Sequence, residues 1–294
     1  MLILLATFPQ SLLVPNAQHA SRATTALTAN TVQPLSRAST VLLTAKTAQP
    51  LVLHAYEHCH FTTRTRLVLG WVGMPFECKF YGYGAGADPA KCEGRGYDPQ
   101  DGGTVPLMGK KLCPVLTGDE VPTRDGLQGL GESMEICSYA AGISSGRLAP
   151  ATGRADVSGW LDRVGDTRKA LERPRLIRMP VPDFADARDV EYAKWTHTRR
   201  GFDYAEAEAA TPQLLVEMQA GLEELATMLR GRDASRGGAP TLNAWGASVD
   251  DALVLPILRS LTCVRDLKWP PLVREYVDGM CEAAGVPLFT EHAS

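Results

Sequence analysis

Residues 52–71 read VLHAYEHCHFTTRTRLVLGW. A short apolar run, Val52 to Tyr56, stops at a polar turn, and a single cysteine, Cys59, stands where a helix carrying Leu67, Val68 and Trp71 begins. The stretch therefore reads as a strand, a turn and a helix with a thiol at the helix N-terminus. Unpaired backbone N–H groups and the positive end of the helix dipole both favour an anion there. Cys59 is thus expected to ionise more readily than a free cysteine, whose pKa is about 8.5. A thiolate is a nucleophile and a thiol is not, so this position is the first candidate for chemistry. The bland alternative is a small residue packed in a core turn.

Working outward, the 294 residues allow one or two domains, and 45% hydrophobic with 21% charged residues is ordinary for a globular chain. A net charge of -3 and the lack of a basic patch interleaved with aromatics disfavour nucleic acid as a partner. No stretch is long and apolar enough to span a bilayer, so no membrane partner is expected. The seven cysteines, at 59, 78, 92, 113, 137, 263 and 281, make no CxxC pair and no repeated metal-ligand spacing. An odd count suits free thiols in a reduced compartment better than a disulfide framework.

N-terminal to the opening stretch, residues 1–56 contain no Asp or Glu, while Arg22, Arg37 and Lys46 sit among Ser, Thr and Ala, the composition of an organelle-targeting peptide. SRATTALTANTVQPL from Ser21 is followed by SRASTVLLTAKTAQPL from Ser36; two polar copies cannot bury a face. Residues 1–51 are read as a disordered targeting leader, with a plastid or mitochondrion as destination and the cytoplasm as the alternative.

C-terminal to it, Pro75 to Tyr81 alternates apolar and polar like a half-buried strand, and Gly82 to Gly103 is dense in Gly, Asp and Pro and reads as a mobile loop insertion. Its glycines form no phosphate cradle, since GxxxxGK[ST] is absent. Leu112-Cys113-Pro114-Val115-Leu116 reads as a strand containing a proline, which a cis peptide at the strand start would explain. At Gly131 the text GESMEICSYAA enters a helix, with Ser133 as N-cap and Ile136, Cys137 and Ala140 inside; its free N–H groups could hold a carboxylate. Beyond Gly142 the periodicity predicts helices alone. Trp160, Leu161 and Val164 share one face, Leu214, Leu215, Met218, Leu222, Leu225 and Met228 another, and Ser248-Val249-Asp250-Asp251 opens a helix like a capping box. The division is a leader over 1–51, an α/β domain over 52–141, a linker over 142–154 and a helical domain over 155–290.

Four blocks, EHCHFTTRTRLVLGWVGMPFE, LCPVL, GESMEICSYA and DDALVLPILRSLTCVRDLKWPPLVREYVDGM, together resemble the glutaredoxin-2 family of bacterial glutaredoxins. The resemblance spans roughly Val52 to Phe289 and is weak over 82–103 and 147–212. It implies a thioredoxin-like α/β domain followed by an all-α domain similar to that of glutathione transferases. The family's CPYC motif falls on Cys59-His60-Phe61-Thr62, so the nucleophilic cysteine and the aromatic are matched, the proline has become His60, and the resolving cysteine has become Thr62. Without a second thiol no disulfide can form within the motif. A monothiol route, in which Cys59 takes the glutathionyl group and a second glutathione removes it, needs only the one sulfur. Thr62 suits that route because its hydroxyl can donate a hydrogen bond to the thiolate.

The resemblance further implies that glutathione, as co-substrate, lies against His60 and Phe61, against the backbone of Cys113 ahead of Pro114, and against Glu132 and Ser133, which hold its γ-glutamyl end. The expected activity is glutathione-dependent thiol-disulfide exchange on glutathionylated proteins or small disulfides, by a monomer or weak dimer. The alternatives are a cysteine-type glutathione transferase or dehydroascorbate reductase, a glutathione-assisted iron–sulfur carrier, and a non-catalytic glutathione-binding module. Cys113 is a candidate substitute for the missing resolving thiol. His54, His58, Cys59 and His60 offer metal-type ligands at a spacing that matches no standard site, so no metal is expected; His58 and His60 are read as stabilising the thiolate or facing solvent.

Overall fold

The structure, a computed structural model, describes residues 50–97, 102–124, 126–144 and 146–294. The leader expected over 1–51 lies outside the described residues except for its last two, and Leu51 already opens the first strand. Strand β1 (Leu51–Ala55) is the centre of a three-stranded sheet, parallel to β2 (Phe76–Phe80) and antiparallel to β3 (Val115–Thr117). Helix α1 (His60–Trp71) makes the crossover that a parallel pair requires. Leu53, His54 and Ala55 are all buried, as a central strand covered on both faces should be. After the four-residue helix α2 (Val105–Met108) and β3, Leu116 and Leu130 add one antiparallel bridge, and α3 (Ser133–Ile143) packs on α1.

The helical domain follows with α4 (Ala155–Leu176), α5 (Ala187–Thr198), α6 (Tyr204–Ala209), α7 (Thr211–Met228), α8 (Asp251–Leu261) and α9 (Pro271–Ala283). On α7 the fully buried positions are Met218, Leu222 and Leu225, one stripe at helical spacing, with Leu214 and Leu215 at its edge. Truncating any of them to Ala costs about 2–5 kcal/mol by the usual cavity penalty. Trp160 of α4 is fully buried and donates its indole N–H to the Gly221 carbonyl at 2.7 Å. The start of α8 carries the expected reciprocal cap: Ser248 N–H donates to Asp251 Oδ2 at 2.8 Å, and Asp250 N–H to Ser248 Oγ at 3.2 Å. Pro256 inside α8 supplies no N–H to the Ala252 carbonyl four residues earlier, and Arg64 Nε of α1 donates to that oxygen instead, at 3.4 Å.

Two expectations are corrected. The helices-only reading beyond Gly142 missed a hairpin, β4 (Gly231–Asp233) with β5 (Ala239–Thr241). Strands of three residues spelling GRD and APT have no apolar alternation to read; what fixes them is Asp233, whose carboxylate accepts from Ser235 N–H at 2.9 Å and Ala247 N–H at 3.0 Å. The Gly82 to Gly103 stretch is loop, but its described part is fastened: Asp189 Oδ1 of α5 accepts from Gly84 N–H at 2.6 Å and from the Tyr97 hydroxyl at 2.9 Å. A Cβ on Gly82 would lie 2.1 Å from the Tyr97 hydroxyl oxygen and 2.5 Å from Asp189 Oδ2, so a larger residue there would displace this pair.

Candidate active site

Cys59 is the N-cap of α1, part-buried, with extended backbone. Thr62 is fully buried; its hydroxyl oxygen accepts from Tyr56 N–H at 3.4 Å, which leaves its hydrogen to point at the Cys59 sulfur. Burial nevertheless pushes the Cys59 thiol above its ordinary value. The backbone N–H groups of Thr62 and Phe61 and the Thr62 hydroxyl all act in the opposite sense, and the Asp183 carboxylate adds to the rise. The expectation of an easily ionised thiol is therefore reversed in the free protein: the helix terminus is aimed correctly, but desolvation of the sulfur outweighs it. Alkylation by iodoacetamide should keep accelerating as pH rises through 9, with no plateau near neutrality. Thr62→Val, which removes one donor, should shift that profile further up; a plateau by pH 8, or an unshifted variant profile, would contradict this account.

The turn that presents Cys59 is held largely from the helical domain. Asp183, wholly buried, accepts from Glu57 N–H at 2.8 Å, His58 N–H at 2.7 Å and His58 Nδ1 at 2.6 Å. Arg259 of α8, also buried, donates to the Glu57 carbonyl at 2.9 Å, to the Thr63 hydroxyl at 3.0 Å and to the Glu57 carboxylate. Arg66 reaches the same carboxylate at 2.7 Å. One carboxylate between two guanidinium groups, with the remaining donors satisfied, is the arrangement that makes a buried ion pair tolerable.

Each expected site residue has a definite place. His60 Nε2 lies 3.1 Å from Glu172 Oε2 of α4 and 3.0 Å from Ser260 Oγ of α8, so it is turned to the helical domain, and neither it nor His58 simply faces solvent. Burial alone would raise the Glu172 carboxyl; His60 and Arg168 beside it reverse that and hold it well below the usual carboxylate range. Phe61 is exposed and receives the Arg64 guanidinium at 5.4 Å. The Cys113–Pro114 bond is cis. The Cys113 thiol is close enough to Cys59 and Tyr56 to interact with both, and burial pushes it up to about 12. Glu132, not Ser133, is the N-cap of α3 and has a left-handed φ of 61°, while Ser133 Oγ accepts from Arg64 at 3.1 Å. His54 points away, bonding Tyr81 at 2.5 Å and Thr117 at 3.1 Å, and among the described residues no group of His, Cys, Asp and Glu converges as a metal site would.

Sequence reasoning missed Asp183, Glu172, Lys111 and Arg259. Lys111 Nζ donates to the Tyr56 hydroxyl at 2.6 Å among the rings of Tyr56, Tyr83 and Tyr192, and burial lowers it to about 8. Only Arg259 left a local sign, as a charge inside the apolar run LVLPILRSL.

Comparison with known proteins agrees with this layout. Residues 156–293 match the family described as Glutaredoxin 2, C terminal domain. Glutaredoxin 2 of Escherichia coli K12 is 22% identical over 241 residues, covering 82% of this chain and 99% of the relative; that of strain O157:H7 gives the same figures. A crystal structure of glutaredoxin 2 from Salmonella typhimurium in complex with glutathione superposes with a TM-score of 0.70 at 21% identity, covering 84% of this chain and 100% of that one, which shows the shared fold. Residues 156–293 thus match the C-terminal domain of glutaredoxin 2, and the chain shares the two-domain fold of the Salmonella typhimurium structure, a thioredoxin-like domain followed by a glutathione-transferase-like helical one.

Proposed function

We propose that the protein is a glutathione-dependent thiol-disulfide oxidoreductase working by the monothiol route. The observation that carries this reading is the single sulfur at the start of α1, with the Thr62 hydroxyl and the Phe61 and Thr62 amides directed at it and no second cysteine in the motif. Cys59 thiolate attacks the glutathionyl sulfur of a mixed disulfide; the new S–S bond forms as the old one breaks, and the partner leaves as a thiolate that takes up a proton. A second glutathione thiolate then attacks the same sulfur, oxidised glutathione leaves, and Cys59 regains its electron pair. Phe61, the Cys113 and Pro114 backbone, Glu132 and Ser133 orient the tripeptide in this reading, while the ring of His60, expected to join them, is held by Glu172 and Ser260. The strained φ of Glu132 at a helix start supports a binding role for that end, since such strain tends to be kept where it serves a ligand. Cys113 is a poor resolver at neutral pH, because a thiol pushed up to about 12 offers little thiolate. The acid-free composition of residues 1–56 supports an organellar address.

A cysteine-type transferase or dehydroascorbate reductase would use the same sulfur, and relative rates on a mixed disulfide, dehydroascorbate and an electrophile separate the readings. The direct test is intact mass after incubation with oxidised glutathione, followed by peptide mapping. One glutathionyl adduct on Cys59 is expected; no adduct, or one on another cysteine, overturns the proposal.

A further inference from the structure

Beside Cys59, on the side of the helical domain, lies an open cleft of about 260 Å³. Its far wall is one stretch of α4, and Arg168, Lys169 and Arg173 all line it, with Glu172 as its one lining carboxylate. The charges do not cancel. Glu172 is paired with Arg168 and bonded by His60 and Ser260, so its charge is met within the wall. Lys169 pairs at 2.7 Å with Asp166, whose side chain is 96% exposed, a surface pair that screens little. The Arg173 guanidinium has no carboxylate within ion-pair distance among the described residues; it stacks over the Phe202 ring at 4.8 Å. His197, also on the wall, donates no charge at neutral pH, since burial lowers it to about 4. The buried Nε of Arg168 has no hydrogen-bond partner. Among the described residues Arg173 is thus the cation of this wall that no carboxylate pairs, while the buried Asp183 carboxylate behind the Cys59 turn is met by two backbone N–H groups and the His58 ring.

Resting on the oxidoreductase reading, we infer that this cleft is the binding site for the half of the mixed disulfide that is not glutathione, and that it selects small thiols bearing a carboxylate. Displacement at sulfur is in-line. When Cys59 attacks the glutathionyl sulfur, the leaving thiolate departs on the side opposite Cys59, and the second glutathione must enter along the same line. Departing thiol and incoming glutathione thus share one site, and both carry negative charge there. The cleft holds roughly nine water volumes, room for a short thiol.

The test uses the full chain and three mixed disulfides of glutathione, with 3-mercaptopropionate, 2-mercaptoethanol and cysteamine, which differ mainly in charge. Each kcat/KM is divided by the uncatalysed exchange rate, which removes the leaving-group difference. The expected order is anion above neutral above cation, with about fivefold or more between the extremes, as one charge pair at short range in high dielectric gives. Arg173→Gln should flatten the series and Arg173→Lys should keep it, which separates lost charge from lost stacking on Phe202. Equal rates in the unmutated protein, a cation preference, or an order that survives Arg173→Gln would overturn the inference while leaving the oxidoreductase reading intact. No turnover of any of the three would overturn both.

Discussion

Replacing Cys59 with serine will abolish glutathione-dependent disulfide exchange, a loss of at least ~1,000-fold, while leaving the fold and glutathione binding in place. The two outcomes are separable because of where the residue sits. Cys59 is the N-cap of α1 and makes no side-chain capping bond, whereas serine is among the preferred N-caps, so the helix loses nothing. A hydroxyl, however, offers no comparable nucleophile at neutral pH, and no other cysteine lies within the motif. Activity on a glutathione mixed disulfide, thermal denaturation and calorimetric binding of glutathione check the three parts. Residual exchange above a few per cent of the unmutated rate would move the nucleophile elsewhere.

The second large effect is expected at a residue that does no chemistry. Asp183→Ala leaves the Glu57 and His58 amides and the His58 ring without their acceptor in a buried turn. Removing one member of a buried hydrogen-bonded charge cluster costs about 3–5 kcal/mol, or on the order of 10 °C in Tm for a domain of this size. Exchange activity should fall further than the folded fraction does, because the same turn sets the position of the sulfur. Asp183→Asn is not a rescue: its carboxamide presents an NH2 where a donor already points. A variant with Tm within about a degree of the parent would mean that the turn holds itself.

How far the sequence could be read depends on the range of the interactions. The strand at Val52–Tyr56, the crossover helix, the α7 stripe and the Ser248 cap each leave a pattern within a dozen residues, and each was legible. The four family blocks extended this to the two-domain plan. What stayed invisible acts across the chain. Asp183 lies 125 residues from His58 and Arg259 lies 202 from Glu57, and neither spacing leaves a periodicity. The Cys59 thiol departs from expectation for a related reason: the helix terminus that favours its ionisation is local, while the burial that opposes it comes from packing and the Asp183 charge that adds to it stands far along the chain. His60 reads as solvent-facing or ligand-facing from its neighbours alone, whereas Glu172 and Ser260, far along the chain, claim its ring.

The Asp183 and Arg259 anchors make the redox centre joint property. A thioredoxin-like unit is commonly thought of as portable, a module that can be excised, fused or exchanged with its chemistry intact. Here the loop ahead of the nucleophile takes two of its fixings from sequence that follows the module's own end. Cutting the chain after α3 would remove the Asp183 acceptor of the His58 amide and one of the two cations on Glu57. Any chimera that means to carry this centre into another scaffold must therefore transplant the 182–184 turn and the Arg259 face of α8 along with the motif itself.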